Sequence, residues 1–270
     1  MTSDEIDFGY LRGVVMSNSG NLIDASRNYL FESRLQHVLK SKGWQSLDQL
    51  ISALRSDSGD LQQAVAEAMT INETSFFRDM PTFDLLRQEL LPRLISSRCR
   101  ERKLRFWSAA SSSGQEVYSI AIMIREHFPQ LEGWKIEILG SDFSAEMVRK
   151  AKAGRYQRME VNRGLPARLL IKYLARVDDE WEIKPEIKSM CQFQQLNLCH
   201  ATISYRPFDC IFLRNVMFYF PLEQRQEVLL RMHQSLASDG ALFLGLSEQP
   251  QMDSHWQTVL TSKAVWYRPR

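Results

Sequence analysis

A chain of 270 residues, 44% hydrophobic and 24% charged, has an ordinary globular composition and enough length for one large domain or a small plus a medium one. Its formal net charge of +2 is too small for a protein coated for nucleic-acid binding, so no nucleic-acid partner is expected. The opening Met-Thr-Ser-Asp-Glu has no apolar signal-peptide core, and no apolar run nears the ~20 residues of a membrane span, so no direct membrane insertion is expected and the cytoplasm is the expected location.

The first 69 residues read as helices. Phe8 to Met16 is an amphipathic segment, and Arg27 to Lys42 is a helix with Tyr29, Leu30, Leu35, Val38 and Leu39 on its apolar face. Ser46-Leu47-Asp48 opens a third helix, and Asp60 caps a fourth that runs into Ala68. A small all-helical domain is expected over 1–69. The pattern then changes. A helix from Thr82 to about Ser97 leads into a strand, Leu104 to Trp107. A small-residue loop, Ser108 to Gly114, follows, and then a helix from Gln115 to Phe128. Ile136 to Gly140 is a second strand, and Ser144 begins another helix. Phe208 to Leu213 is a third strand and Leu222 to Ala237 a helix. Ala241 to Leu246 and Ala264 to Tyr267 are a fourth and fifth strand. Alternation of this kind indicates a doubly wound parallel α/β sheet over 70–270. It is interrupted at about 154–195, where a helix, Pro166 to Leu174, precedes Trp181-Glu182-Ile183 and Cys191-Gln192-Phe193. Those two runs read as strands of a small antiparallel insert.

The four cysteines include no C-x-x-C pair and the five histidines form no H-E-x-x-H pattern, so no metal is expected. Cys210 lies in an apolar run and reads as a small core residue. In open α/β sheets ligands bind beyond the carboxyl ends of the strands, so polar residues there are the first candidates. After strand one comes Ser108-Ala109-Ala110-Ser111-Ser112-Ser113-Gly114-Gln115-Glu116, whose small residues let backbone approach a ligand. After strand two comes Ser141-Asp142. That carboxylate can hold ribose hydroxyls or cap the next helix, and the residues alone leave both open. Arg214 and Asn215 end an apolar strand, a costly place for polar groups unless they are paired. Asn197 offers an amide able to read an adenine edge. No G-x-G-x-x-G and no Walker A lysine motif is present. A nucleoside ligand without a pyrophosphate therefore fits best, with S-adenosylmethionine (SAM) leading.

Several blocks resemble the CheR family of chemotaxis receptor methyltransferases. They are Met69-Thr70-Ile71-Asn72-Glu73-Thr74-Ser75-Phe76-Phe77-Arg78, Trp107-Ser108-Ala109-Ala110 with Ser113-Gly114-Gln115-Glu116, Ser141-Asp142, Asn197-Leu198, Arg214 to Phe220 and Gly245-Leu246-Ser247-Glu248. They occur in the family's order and cover nearly the whole chain. The resemblance implies a helical N-terminal domain, a Rossmann-like SAM domain and transfer of methyl groups to receptor glutamates, with S-adenosylhomocysteine as product. It implies that Asn72, Thr74 and Arg78 contact SAM, with Arg78 near its carboxylate and among the catalytic residues. Glu116 would bind the amino group, Asp142 the ribose, and Asn197 with Leu198 the adenine. Asn215 and Val216 would line the methionine part, and Tyr219 would face the transferring methyl as the second catalytic residue. Phe76, Phe77, Val216 and Phe220 read as core.

The implied partners are methyl-accepting chemoreceptors. The expected helix over Arg27–Lys42 carries Arg27, Arg34, Lys40 and Lys42, and the first two, seven residues apart, would share a face toward an acidic receptor helix. Some family members dock a receptor's C-terminal peptide on a glycine-rich hairpin. Here Leu174 is followed by Ala-Arg-Val-Asp-Asp-Glu, without glycine, which argues against a tight hairpin of that kind. Amide-nitrogen methyltransferases usually carry Asn-Pro-Pro-Tyr where this chain has Arg214-Asn215-Val216-Met217. That class is disfavoured, as is a SAM sensor without turnover, since Arg78 and Tyr219 are both present.

Overall fold

A computed structural model describes residues 6–56, 59–200, 207–251, 254–261 and 264–270. Residues 1–5, on which the signal-peptide reading rests, lie outside the described residues. The chain forms two compact units, Met1–Ile71 with Phe218–Arg225, and Asn72–Met217 with Gln226–Arg270. Among the described residues no helix is long and apolar enough to cross a membrane.

The first unit is helical: α1 (Phe8–Ser19), α2 (Tyr29–Arg34), α3 (Gln36–Lys42), α4 (Leu47–Ser56) and α5 (Asp60–Ala68). Asp7 starts α1 by accepting from the Tyr10 N–H at 2.9 Å, as an N-cap does. In α4, Leu47, Leu50, Ile51 and Leu54 recur at helical spacing and all four are buried. With Leu11, Val15, Phe31, Leu35 and Val65 they form this unit's own core.

The single helix expected over Arg27–Lys42 is not formed. A 3-10 turn at Ala25–Arg27, then α2 and α3, occupy that stretch, with the break at Leu35. No glycine or proline marks the break. Phe31 and Leu35 are both fully buried, and packing them outweighs the roughly 0.7 kcal/mol or less that separates ordinary residues in helix propensity. The break also redirects charge. Arg34 turns inward, its Nη1 donating to the carbonyls of Met69 (3.0 Å) and Thr70 (3.3 Å) just past α5, where the helix dipole favours a cation. Arg27, Lys40 and Lys42 remain exposed. The expected shared basic face of Arg27 and Arg34 is therefore absent.

The second unit begins with a continuous helical run, α6 (Met80–Leu85), a π turn at Leu86–Leu90, and α7 (Leu91–Ser97). There follow β1 (Lys103–Ala109), α8 (Gln115–His127), β2 (Lys135–Asp142), α9 (Ala145–Ala153), β3 (Arg155–Gln157), α10 (Arg158–Asn162), α11 (Ala167–Tyr173), β4 (Leu174–Val177), β5 (Glu180–Ile183), α12 (Pro185–Lys188) and β6 (Cys191–Gln195). β7 (Phe208–Leu213), α13 (Leu222–Ser235), β8 (Leu236–Leu244), β9 (Trp256–Leu260) and β10 (Val265–Pro269) complete the chain.

Seven strands form one sheet in the order β6-β2-β1-β7-β8-β10-β9. The first five run parallel, and β10 is antiparallel to both β8 and β9. All six residues of β7 are buried, as expected of a central strand covered on both faces. Cys210 is fully buried within it. The strand order reverses between β1 and β7, which makes their carboxyl ends the topological switch point where such sheets bind ligands.

Several strand readings change: β3 and β4 are not among the strands expected of the insert, and β8 begins at Leu236, inside the expected helix Leu222–Ala237. Cys191–Phe193, expected in the insert, belongs to β6 and extends the main sheet, pairing in parallel with β2 with Cys191 opposite Ile138. β9 was not anticipated, because Trp256-Gln257-Thr258-Val259-Leu260 carries no clean alternation. The insert itself is a three-stranded antiparallel sheet, β3-β5-β4. Val177 pairs with Glu180, so β4 and β5 form a tight hairpin despite the missing glycine. Asp178 takes the left-handed conformation in its place, at φ 55°, which Asp tolerates better than most residues. Glu126 on α8 accepts from Arg168, Lys172 and Tyr173 of α11 and anchors the insert to the main unit.

Candidate active site

The loop leaving β1 is tightly wound. Ala110 (φ 64°), Ser112 (φ 49°) and Gly114 (φ 93°) are all left-handed. At Gly114 a Cβ would also fall 2.9 Å from Ala151 Cβ and 3.2 Å from Phe193 Cε1, so both conformation and space require glycine. The loop is held from the neighbouring strand by Ser111 N–H on Ser141 O at 2.8 Å and by Ser112 N–H on Asp142 Oδ2 at 2.7 Å. Ser112 Oγ donates to Asn72 O at 2.7 Å. Among the described residues the buried hydroxyl of Ser111 has no hydrogen-bond partner.

Asp142 is nearly buried, 7% exposed, and its Oδ1 also accepts from Ser144 N–H at 3.0 Å. The helix cap of α9 is Ser144, whose hydroxyl accepts from Met147 N–H. Asp142 is thus not that cap but a carboxylate bracing two loops at the end of β2. Leu196 N–H donates to Asp142 O at 2.9 Å and brings the Asn197-Leu198 segment beside it. Asn197 Oδ1 accepts from Cys199 N–H at 3.0 Å, and Leu198 is buried.

Around the start of α8 lies a charge cluster. Glu116, in the first turn, accepts from Ser108 Oγ at 2.7 Å and from Arg214 Nη1 at 2.6 Å. Arg214 Nη2 donates to Asp79 Oδ2 at 2.6 Å and to Arg78 O at 2.9 Å. The Arg214 side chain is 3% exposed, and its buried Nε has no partner among the described residues. The polar end of β7 is therefore paired, as its position demands. Two carboxylates share one guanidinium, leaving about one negative charge in excess. The segment before α6 is fixed by Phe77 N–H on Ser119 Oγ at 2.9 Å. Phe77 and Asp79 are left-handed at φ 48° and 61°. Phe76 and Phe77 are core, packing edge-on against Tyr156 and Phe83. Thr74 and Arg78 are half-buried, and Arg78 Nη1 donates to Glu73 O at 3.2 Å.

Glu248 closes the loop after β7. Its carboxylate accepts from the N–H groups of Asn215, Val216, Met217 and Gly245. Val216 is half-buried and Phe220 buried, so the core reading holds for the second and not the first. Tyr219 belongs to the helical unit, where its carbonyl accepts from Leu22 N–H at 2.8 Å and its ring lies 4.3 Å from that of Phe218.

Residues 72–266 match the family model described as "CheR methyltransferase, SAM binding domain". The chain belongs to the CheR methyltransferase family. Over the full length of both chains it is 38% identical to chemotaxis protein methyltransferase 1 of Pseudomonas aeruginosa and 35% identical to chemotaxis protein methyltransferase Cher2 of Pseudomonas putida. Among solved structures it is similar to a TehB-like SAM-dependent methyltransferase from Corynebacterium glutamicum, with a TM-score of 0.38 and 14% identity over 65% of this chain and 83% of that one.

As a member of this family the chain is a SAM-dependent methyltransferase, and its residues fit that ligand. Glu116, Arg214 and Asp79 together carry a net negative charge, which suits a cationic group of the ligand, and among the described residues the buried Ser111 hydroxyl and Arg214 Nε have no partner. Within the sheet unit the bonds join Glu116 to Arg78 through Arg214, and Asp142 to Asn72 through Ser112. The sequence by itself gives no role to Arg214, Asp79, Ser112 or Glu248. Arg214 carried a signal, a cation ending an apolar strand. For Glu248 the signal is an acid placed shortly after the apolar Ala241–Leu246 run, within a block that resembles the family.

Proposed function

We propose that this protein transfers the methyl group of SAM to glutamate side chains of methyl-accepting chemoreceptors in the cytoplasm, forming methyl esters in chemosensory adaptation. The observation that carries the reading is full-length similarity to proteins named chemotaxis protein methyltransferases. The local geometry suits it. Glu116 would take the SAM ammonium, Asp142 the ribose hydroxyls, and Asn197 with Leu198 the adenine. Asn72, Thr74 and Arg78 would contact the ligand from the segment before α6, Arg78 near its carboxylate. Asn215 and Val216 would line the methionine part, and Tyr219 would face the transferring methyl.

When bound, SAM supplies a sulfonium-activated methyl carbon. The receptor carboxylate attacks that carbon, the C–S bond breaks with its electron pair going to sulfur, and the products are a γ-methyl ester and S-adenosylhomocysteine. A free Glu has a pKa of ~4.3, so the nucleophile is already ionised at neutral pH and no proton has to move. The protein's task is orientation, an effect worth about 7–11 kcal/mol in well-aligned reactions. Exposed Arg27, Lys40 and Lys42 offer charge to an acidic receptor helix. Arg34 does not, since its guanidinium is committed to Met69 and Thr70.

Incubation with tritiated SAM and receptor-bearing membranes tests the reading. Label should enter the receptor and leave as volatile methanol on mild alkali, as an ester requires. No incorporation, or label that survives alkali, would refute glutamate as the acceptor.

A further inference from the structure

β7 and β8 are adjacent, with Leu213 opposite Leu244, and the loops leaving them both contact one carboxylate. Glu248 Oε1 accepts from Val216 N–H at 2.9 Å and Met217 N–H at 2.8 Å. Oε2 accepts from Asn215 N–H and Gly245 N–H, each at 2.8 Å. A carboxylate has about four acceptor positions, and all are used. Glu248 is 7% exposed, and among the described residues it pairs with no cation. Burying a charge is costly unless hydrogen bonds compensate, and here backbone dipoles alone do so.

This carboxylate shapes one wall. Asn215 is left-handed at φ 57°, a conformation that Asn tolerates better than most residues and that a turn of this kind uses. In this turn three successive N–H groups, from Asn215 to Met217, converge on Glu248. Gly245 confines Asn215 from the other side. A Cβ there would lie 2.7 Å from Glu248 Oε2, 2.8 Å from Asn215 Nδ2 and 3.0 Å from Asn215 N.

We infer that Glu248 is a positioning residue: its carboxylate, with Gly245 against it, fixes the Asn215-Val216 wall in the geometry that receives the methionine half of the ligand. The inference rests on the proposed placement of that half against Asn215 and Val216. Glu248→Gln presents an NH2 group to two N–H donors and opens half of the clamp. Gly245→Ala retains the acid, but its Cβ would displace both the Glu248 carboxylate and Asn215 from their present positions.

The test compares two probes by calorimetry. S-adenosylhomocysteine carries the amino-acid end, and 5′-deoxy-5′-methylthioadenosine shares the nucleoside and thioether but lacks it. Glu248→Gln and Gly245→Ala should each weaken S-adenosylhomocysteine about tenfold and leave methylthioadenosine within about twofold, with Asn215→Ala showing the same selectivity. Gly245→Ala decides the matter if Glu248→Gln does not fold. If the clamp variants affect both probes alike, or neither, while Asn215→Ala remains selective, Glu248 is not a positioning residue and the wall stands. If Asn215→Ala shows no selectivity, the wall itself is misplaced and the role of Glu248 falls with it.

Discussion

Replacing Arg214 with Met removes the one guanidinium that joins Glu116, Asp79 and the Arg78 carbonyl while keeping side-chain bulk. The three bonds measure 2.6, 2.6 and 2.9 Å, and side-chain exposure is 3% for Arg214, 13% for Glu116 and 23% for Asp79. Removing one partner of a buried ion pair costs about 3–5 kcal/mol, chiefly because the stranded charges stay desolvated. Asp79 retains some contact with water, which places the expectation near the lower end, about 3 kcal/mol. Each kcal/mol moves Tm by about 2–4 °C in a chain of 150–250 residues, so Arg214→Met should melt roughly 6–12 °C below the parent. Arg214→Lys keeps the charge but cannot span three acceptors as a fork does, and its loss should be about half as large. Thermal unfolding of the ligand-free variants reads this directly. A Tm for Arg214→Met within 2 °C of the parent would show that the cluster contributes no net stability and that the burial argument fails.

Two further outcomes follow from the charges. Hydrogen bonds from Lys172, Tyr173 and Arg168 outweigh the cost of desolvation at Glu126 and hold its carboxyl down to about 2. A group depressed in the folded state contributes stability that is complete above its unfolded pKa, ~4.3, and disappears as pH falls toward the folded value. The gap in urea midpoint between the parent and Glu126→Gln should therefore be wide at pH 6 and narrow steadily below pH 4.3; an equal gap at pH 6 and pH 3 would contradict the assigned ion pairs. The methylation rate at saturating SAM and receptor should need no base near neutrality and should decline only as the acceptor glutamate protonates in acid. A steep fall between about pH 8 and 6.5 that vanishes on replacing one histidine would reveal a proton transfer absent from the proposed chemistry.

Much of this protein was legible along the chain wherever the deciding interactions are short in sequence. Ser144 caps α9 three residues ahead of Met147, and Gly114 ends a loop that its own conformation restricts. Strand–loop–helix order alone located the carboxyl ends of β1, β2 and β7, and so the neighbourhood of Glu116, Asp142 and Asn215. The strongly apolar Phe208–Leu213 run matched its strand end to end.

Partners across long separations were decided only by the tertiary structure. A short run such as Cys191-Gln192-Phe193 pleats equally well in either sheet, and it is parallel pairing to β2 that assigns it to the main one. Arg34 reads as a surface charge until the carbonyls 35 and 36 residues away claim it. Arg214 reaches Glu116 across 98 residues and Asp79 across 135, and Glu248 gathers amides 31 to 33 residues back. The physical reason is common to all of them. Local propensity and periodicity determine which face of an element is apolar, whereas a buried polar group takes whichever complementary group the completed fold brings within about 3 Å, and neighbours in sequence do not encode that choice.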